Sequence, residues 1–151
     1  MASLIDVASA LAIANPTRPS QAFLRRAVSS AYYATFQALA GACADLFVGG
    51  SSARTGADWS HVFRALDHGP AKNACVQLAK AGVGREILTF ADVFLALQEE
   101  RHRADYDPSS HYTRQDVLDL IERARLAIHF LDGAPRADRR KLAVFAMFKK
   151  R

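Results

Sequence analysis

The chain lacks most of the features that would fix its chemistry at a glance. It has two cysteines, Cys43 and Cys75, without the spacing of a metal ligand set or a redox pair. Both lie in alanine-rich apolar stretches, which reads as small core residues rather than a disulfide framework. The histidines His61, His68, His102, His111 and His129 show no His-x3-His or related spacing. No metal and no other cofactor is therefore expected. Gly82-x-Gly84 is too short for a phosphate loop and precedes no strand–helix unit, and no Gly-x-Ser-x-Gly elbow is present. No apolar run approaches the roughly 20 residues of a membrane span. The N-terminus lacks the basic start of a secretory signal and carries Asp6 early. The expectation is a cytoplasmic protein with no membrane partner. Alternating Val/Ile/Thr-rich runs, internal repeats and low-complexity stretches are missing too, which argues against sheet, solenoid and disorder.

What remains is a chain of 151 residues, half apolar and 23% charged, the composition and length of one globular domain. It can bury about two-thirds of its unfolded surface and needs no covalent staple. The net charge of +5 is uneven. Between positions 136 and 151, seven basic residues face Asp138 alone, leaving +6 there and about −1 over residues 1–135. The chain thus divides into a bundle over 1–135 and a basic amphipathic C-terminal helix or tail over 136–151. Such a tail is a solubilising end or a contact for RNA phosphates or an acidic partner.

Helix signals run throughout. Ser3 caps a helix over 3–14 with Leu4, Val7, Ala8 and Leu11 on one face, and Asn15-Pro16 and Pro19 break it. Ser20 caps a long helix to about 47, its stripe rich in alanine, which lets a neighbouring helix approach closely. A polar loop follows Gly49-Gly50. Asp58 caps a short helix over 59–68, Gly69-Pro70 interrupts it, and a second short helix spans 71–81. A long segment covers 85–106, and Asp107-Pro108-Ser109-Ser110 makes a turn. Thr113, with Asp116 three positions on, opens a helix to about 131. A basic amphipathic helix covers about 137–148. The expected fold is all-α, an up-and-down helical bundle with an inserted short helical pair and a C-terminal extra helix.

The segment over 85–106 carries the most informative pattern. At 100° per residue, Ile87, Phe90, Ala91 and Phe94 define an apolar face, and Gln98, Arg101 and Asp105 continue the same stripe. A charged pair on a core-facing stripe requires partners, because an unpaired buried ion costs several kcal/mol. Arg101 and Asp105 are four apart and can pair, with Tyr106 flanking them. One reading is an ion pair that pins the helix end to a neighbour. The other is a polar pocket at the open end of the bundle, with Arg101 binding an anion through its planar fork.

Arg-His-Arg-Ala-Asp-Tyr-Asp at 101–107, Leu24-Arg25-Arg26-Ala27 leading to Ala31-Tyr32-Tyr33-Ala34-x-Phe36, and Trp59-x-His61 together resemble the HEPN superfamily. Within it they are most similar to small bacterial proteins with an Arg-x-x-Ala-Asp-Tyr signature, over roughly residues 20–131. The resemblance implies an up-and-down bundle that forms a homodimer. Many members are metal-independent endoribonucleases, toxins or defence proteins, often paired with a minimal nucleotidyltransferase. It also implies an active site of Arg, then four to six residues, then His, brought together across the dimer. Arg101 takes the place of the motif Arg. The positions for His hold Tyr106, Asp107 and Pro108, or Pro108, Ser109 and Ser110 if counted from Arg103, and His111 comes one position late. A tyrosine with an ordinary pKa near 10 is a weak substitute for His as a general acid or base.

Two functional classes follow. The first is a binding and regulatory protein for RNA or a nucleotide, paired with a nucleotidyltransferase in a toxin–antitoxin or defence-type module. The second is an endoribonuclease with a degenerate motif, using Arg101, Asp105 and Tyr106. The binding residues expected beside them are Arg25, Arg26, Tyr33, His61 and His102. Arg25 and Arg26 reach Arg101 if their helix runs antiparallel to the 85–106 segment. Tyr32, Tyr33 and Phe36 also suit plain core or dimer packing, and His61 is expected to point inward beside Trp59. Arg64-x3-His68 and Arg54-x6-His61 match Arg…His spacing by count only.

Overall fold

In the computed structural model, residues 3–150 are described. Among these the elements are α1 (Leu4–Ile13), α2 (Gln21–Phe47), α3 (Ala57–Ala65), α4 (His68–Leu78), α5 (Arg85–Tyr106), α6 (Arg114–Gly133) and α7 (Arg136–Met147), with no strand. Local chemistry accounts for most of the boundaries. Ser3 Oγ accepts from the Asp6 N–H, and the Asp6 carboxylate accepts from the Ser3 N–H, a reciprocal cap that starts α1. Thr113 and Asp116 repeat it at the start of α6. Ser20 Oγ caps α2 through the Phe23 N–H. After α1 the chain reverses through Asn15, whose φ of 55° lies in the left-handed region that asparagine tolerates. The loop after α2 contains one 3-10 turn, Ser51–Thr55.

The short helical pair is arranged differently from the sequence reading. Asp58 is not the cap of α3: it lies inside the first turn, preceded by Gly56, and makes no capping hydrogen bond. The helix ends at Ala65, so the break falls at Leu66-Asp67 instead of Gly69-Pro70. His68, Gly69 and Pro70 form the first turn of α4. Proline fits there because first-turn N–H groups have no intrahelical acceptor. The shift puts His68 at the start of α4.

α2 is the central element. It packs on α1, α3, α5, α6 and α7 and buries Leu24, Val28, Tyr32, Leu39 and Cys43 on several faces. α5 and α6 pack on α2 and on each other, and α1 closes the bundle against α2 and α6. α1 packs on α2 and α6, burying Ile5, Ala8 and Ala12 with Leu4 and Leu11 partly buried, so of the expected Leu4–Val7–Ala8–Leu11 face only Val7 is exposed. Cys43 and Cys75 are buried thiols, and burial pushes both up to about 12. α7 lies on α4 and α2, burying Leu142, Ala143 and Ala146 and leaving Arg140 and Lys141 outside. Phe148 meets Phe47 edge-on at 5.4 Å. Arg151 of the basic segment lies outside the described residues. No described helix is long and apolar enough to cross a membrane.

Two arginines tie helix ends to distant chain. Arg114, in the first turn of α6, donates to the carbonyls of Ala12, Asn15 and Pro16 at 3.0, 2.8 and 2.8 Å, closing the end of α1. Arg25 of α2 does the same for α5. Its guanidinium donates to the carbonyls of Ala104 at 3.0 Å, Asp107 at 2.9 Å and Pro108 at 3.3 Å, and to that of Ser110. The side-chain amide of Gln21 exchanges two hydrogen bonds with the backbone of Tyr112 at 2.7 and 3.0 Å. The α5–α6 loop is therefore held by the first two turns of α2.

Candidate functional site

These bonds place the beginning of α2 beside the end of α5, antiparallel to it. Moving along α2, Arg25 meets Ala104 and Asp107, Ser29 meets Asp105, and Tyr33 meets Arg101. Arg101 is the centre of the arrangement. Its Nη2 donates to the Tyr33 hydroxyl at 3.0 Å. Its Nε lies 3.0 Å from Asp105 Oδ2, but the N–H does not aim along that line, so Nε is buried without a hydrogen-bond acceptor. The contact is an ion pair with spare donor capacity. Asp105 is held from the other side by the Ser29 hydroxyl, which donates at 2.5 Å.

Aromatic rings surround the guanidinium. Its carbon lies 5.8 Å from the Tyr32 ring centre, 5.4 Å from Tyr33 and 5.8 Å from Tyr106, all within the range where a ring quadrupole attracts a cation. Burial disfavours the charge, yet Tyr33, Asp105 and Tyr106 outweigh it and hold the Arg101 pKa above its ordinary value. The side chain keeps 21% of its surface exposed and Asp105 keeps 30%, so a solute anion can reach the cation. Tyr106, 64% exposed, is not half-buried packing. It lies against His102 at 4.9 Å between ring centres, and both residues are exposed.

His68 joins the cluster from α4, a residue that chain spacing alone had assigned to chance. Its ring stacks on Phe36 at 4.1 Å, and its Nδ1 sits 2.6 Å from the Tyr32 hydroxyl. Burial pushes the Tyr32 phenol up to about 12, so it keeps its proton. His68 is pushed below its ordinary 6.5 by burial and then by the Arg101 charge, against a smaller opposing pull from Asp67. A neutral His68 that accepts from Tyr32 at Nδ1 carries its proton on Nε2. Because the folded form takes up a second proton, at Nδ1, less readily than the unfolded chain does, the unfolded state binds more protons as pH drops through about 6.5. Stability is expected to fall between pH 7.5 and 5.5, and His68→Gln to show a smaller fall. Urea midpoints across that range measure it, and equal slopes for the two proteins exclude this role for His68.

The expected site residues divide into three groups. Arg101, Asp105, Tyr106, Tyr33 and His102 come together. Arg25 is close but committed to loop carbonyls, so it serves as a positioning residue rather than a ligand contact. Arg26 is exposed on α2 and has no hydrogen bond or ion pair among the described residues. His61 corrects the sequence reading: it is exposed and does not point inward beside Trp59. The two are about 200° apart around α3, on opposite faces, and Trp59 turns inward to donate to Asp45 at 2.9 Å. Among the described residues no group of His, Cys, Asp and Glu converges as a metal site requires. Ser29 was missed altogether; Tyr32 was read as core or dimer packing and His68 as a chance match of spacing to Arg64, and the structure brings all three to the Arg101 cluster.

Comparison with known proteins leaves this geometry to speak for itself: no protein-family model, no curated protein and no solved structure matches the chain.

Proposed function

We propose that the chain is a HEPN-like regulatory protein that binds single-stranded RNA or a nucleotide at the Arg101 cluster. In this reading it acts as a homodimer and pairs with a minimal nucleotidyltransferase in a toxin–antitoxin or defence-type module. One observation carries the binding reading: a partly exposed guanidinium whose one side-chain hydrogen bond goes to Tyr33, set among three tyrosine rings beside the exposed Tyr106 and His102. Phosphate suits the guanidinium, and the Tyr106 and His102 faces suit stacking by an unpaired base. The Arg101–Asp105 pair sets the cost of entry, since an incoming phosphate competes with a carboxylate already in place.

Fluorescence anisotropy of a labelled single-stranded oligoribonucleotide tests it. Arg101→Ala is expected to weaken binding at least tenfold, about 1.4 kcal/mol, while Arg101→Lys falls between, because an ammonium lacks the planar fork. Equal affinity of Arg101→Ala and wild type refutes the reading.

The endoribonuclease reading has one observation in its favour, His68. It brings to Arg101, from another helix, the imidazole that the 101–107 segment does not supply. On that reading purified protein cleaves RNA, and His68→Gln abolishes cleavage but leaves binding within twofold. Absence of cleavage by wild type under conditions where it binds removes it.

A further inference from the structure

A second concave feature lies away from Arg101, on the other side of α2. The start of α1 together with α2, α3, α6 and α7 lines an open cavity of about 840 Å³, a volume typical of small-molecule sites. Its floor is the Ala34–Ala38–Gly41–Ala42 side of α2, and Ile128 and Phe63 form apolar walls. Trp59 and Phe63 stack with planes 17° apart, giving one flat aromatic wall. Gly41 is notable in the middle of a long helix, where glycine is less favourable than alanine. A Cβ there would meet nothing within 4 Å, so the open space above it is not required by any neighbour within the chain.

The charged groups at the rim are not equally satisfied. Arg54 holds Asp45 through two contacts, at 3.0 and 2.6 Å, and Asp45 also accepts from Trp59. Arg125 pairs with Glu122 at 3.2 Å. The side chain of Arg139, on α7, makes no hydrogen bond or ion pair among the described residues, and its Nε is buried without an acceptor. A buried charged donor without an acceptor is costly unless something external supplies one. Asp45 and Asp132 also line the cavity, and the Arg139 charge acts on Asp45 without an ion-pair contact. What stays without an acceptor is the Arg139 Nε donor, which one carboxylate would satisfy with less repulsion from the two aspartates than a doubly charged headgroup would meet.

We propose that this cavity binds a small monocarboxylate with an apolar body, its carboxylate on Arg139 and its hydrocarbon over Ala38, Gly41 and the Trp59–Phe63 wall. The proposal is independent of the Arg101 reading.

Trp59 is the only tryptophan in the chain, so its emission reports on this wall alone. The probes are octanoate and 4-phenylbutyrate, compared with octanol and octyl phosphate, followed by Trp59 fluorescence and by calorimetry. Saturable binding of a carboxylate is expected, at least tenfold tighter than octanol or octyl phosphate. Arg139→Met is expected to weaken the carboxylate at least tenfold and leave octanol unchanged. Gly41→Leu fills the space on a stronger helix former and is expected to abolish both, with helicity and the urea unfolding midpoint retained. Three results overturn the proposal: no saturable change with either carboxylate at millimolar concentration, unchanged carboxylate affinity in Arg139→Met, or octyl phosphate binding as tightly as octanoate. A wild-type dimer that Gly41→Leu converts to monomer in sedimentation also overturns it, by assigning the groove to a second copy of the chain.

Discussion

Arg25→Ala is expected to lower the unfolding free energy by about 3 kcal/mol, a drop in Tm of about 6–12 °C for a domain of this size. Four carbonyls between Ala104 and Ser110 receive their hydrogen bonds from this one guanidinium. Carbonyls at a helix end lack intrahelical donors, and each charge-assisted bond contributes about 1.5–3 kcal/mol. The four are not additive, because they share one cation and because part of the loop can turn to water once the side chain is gone. That places the total nearer two bonds than four. Arg25→Lys is expected to recover less than half, since one ammonium cannot span acceptors on both the helix end and the loop. Thermal and urea unfolding followed by circular dichroism decide the matter. A loss below about 1 kcal/mol would show that the loop is held mainly by Gln21 and the turn itself.

Phe94→Ala is expected to be more damaging still, costing about 4 kcal/mol. Phe94 is fully buried on α5, 5.5 Å from the Tyr32 ring and 6.1 Å from Phe90. Small domains hold about 5–15 kcal/mol in total, so the variant is expected to be marginally folded. Its effect reaches the site, because the lost ring supports Tyr32 from beneath, and Tyr32 in turn orients His68. Phe94→Leu restores most of the volume and is expected to cost less than about 1.5 kcal/mol. Comparing the two by urea unfolding, and repeating the pH series of His68 on Phe94→Leu, separates loss of packing from loss of the Tyr32–His68 contact. A Phe94→Ala cost under about 2 kcal/mol would mean that the core collapses into the space easily and that Tyr32 is supported elsewhere.

Elements whose determinants are local could be read from the chain. Ser3, Ser20 and Thr113 start their helices through bonds to residues three positions on, and the inward faces of α5 and α6 follow helical periodicity. That Arg101 and Asp105 reach α2 was legible for the same reason, because they continue a stripe defined by Phe90 and Phe94, but only Arg101 is partly buried and Asp105 stays exposed. What could not be read depends on distance in space. Gly69-Pro70 looks like a terminator, yet proline suits a first turn as well as a break, and only packing of α4 on α5 and α7 chooses between them. With that choice goes His68, whose role rests on Tyr32 and Phe36, more than thirty positions earlier. Arg25 looked like a ligand residue because arginine is equally suited to phosphate and to carbonyl oxygens, and its acceptors lie about 80 positions away. The cavity beside Gly41 depends on α7 returning to α2, which no window of sequence contains.

The two-sided use of α2 has a consequence for how the chain can change length. Ser29 and Tyr33 address α5, while Ala34, Ala38 and Gly41 line the space opposite. Both assignments are angular, so one extra residue after Tyr33 would swing the remainder of the helix through about 100°. Seven extra residues restore the angle to within about 20° but push the far end about 10 Å along its axis, away from Trp59 and Arg139. Point replacements can be absorbed along much of this rod, whereas insertions and deletions are confined to the hairpins at its ends.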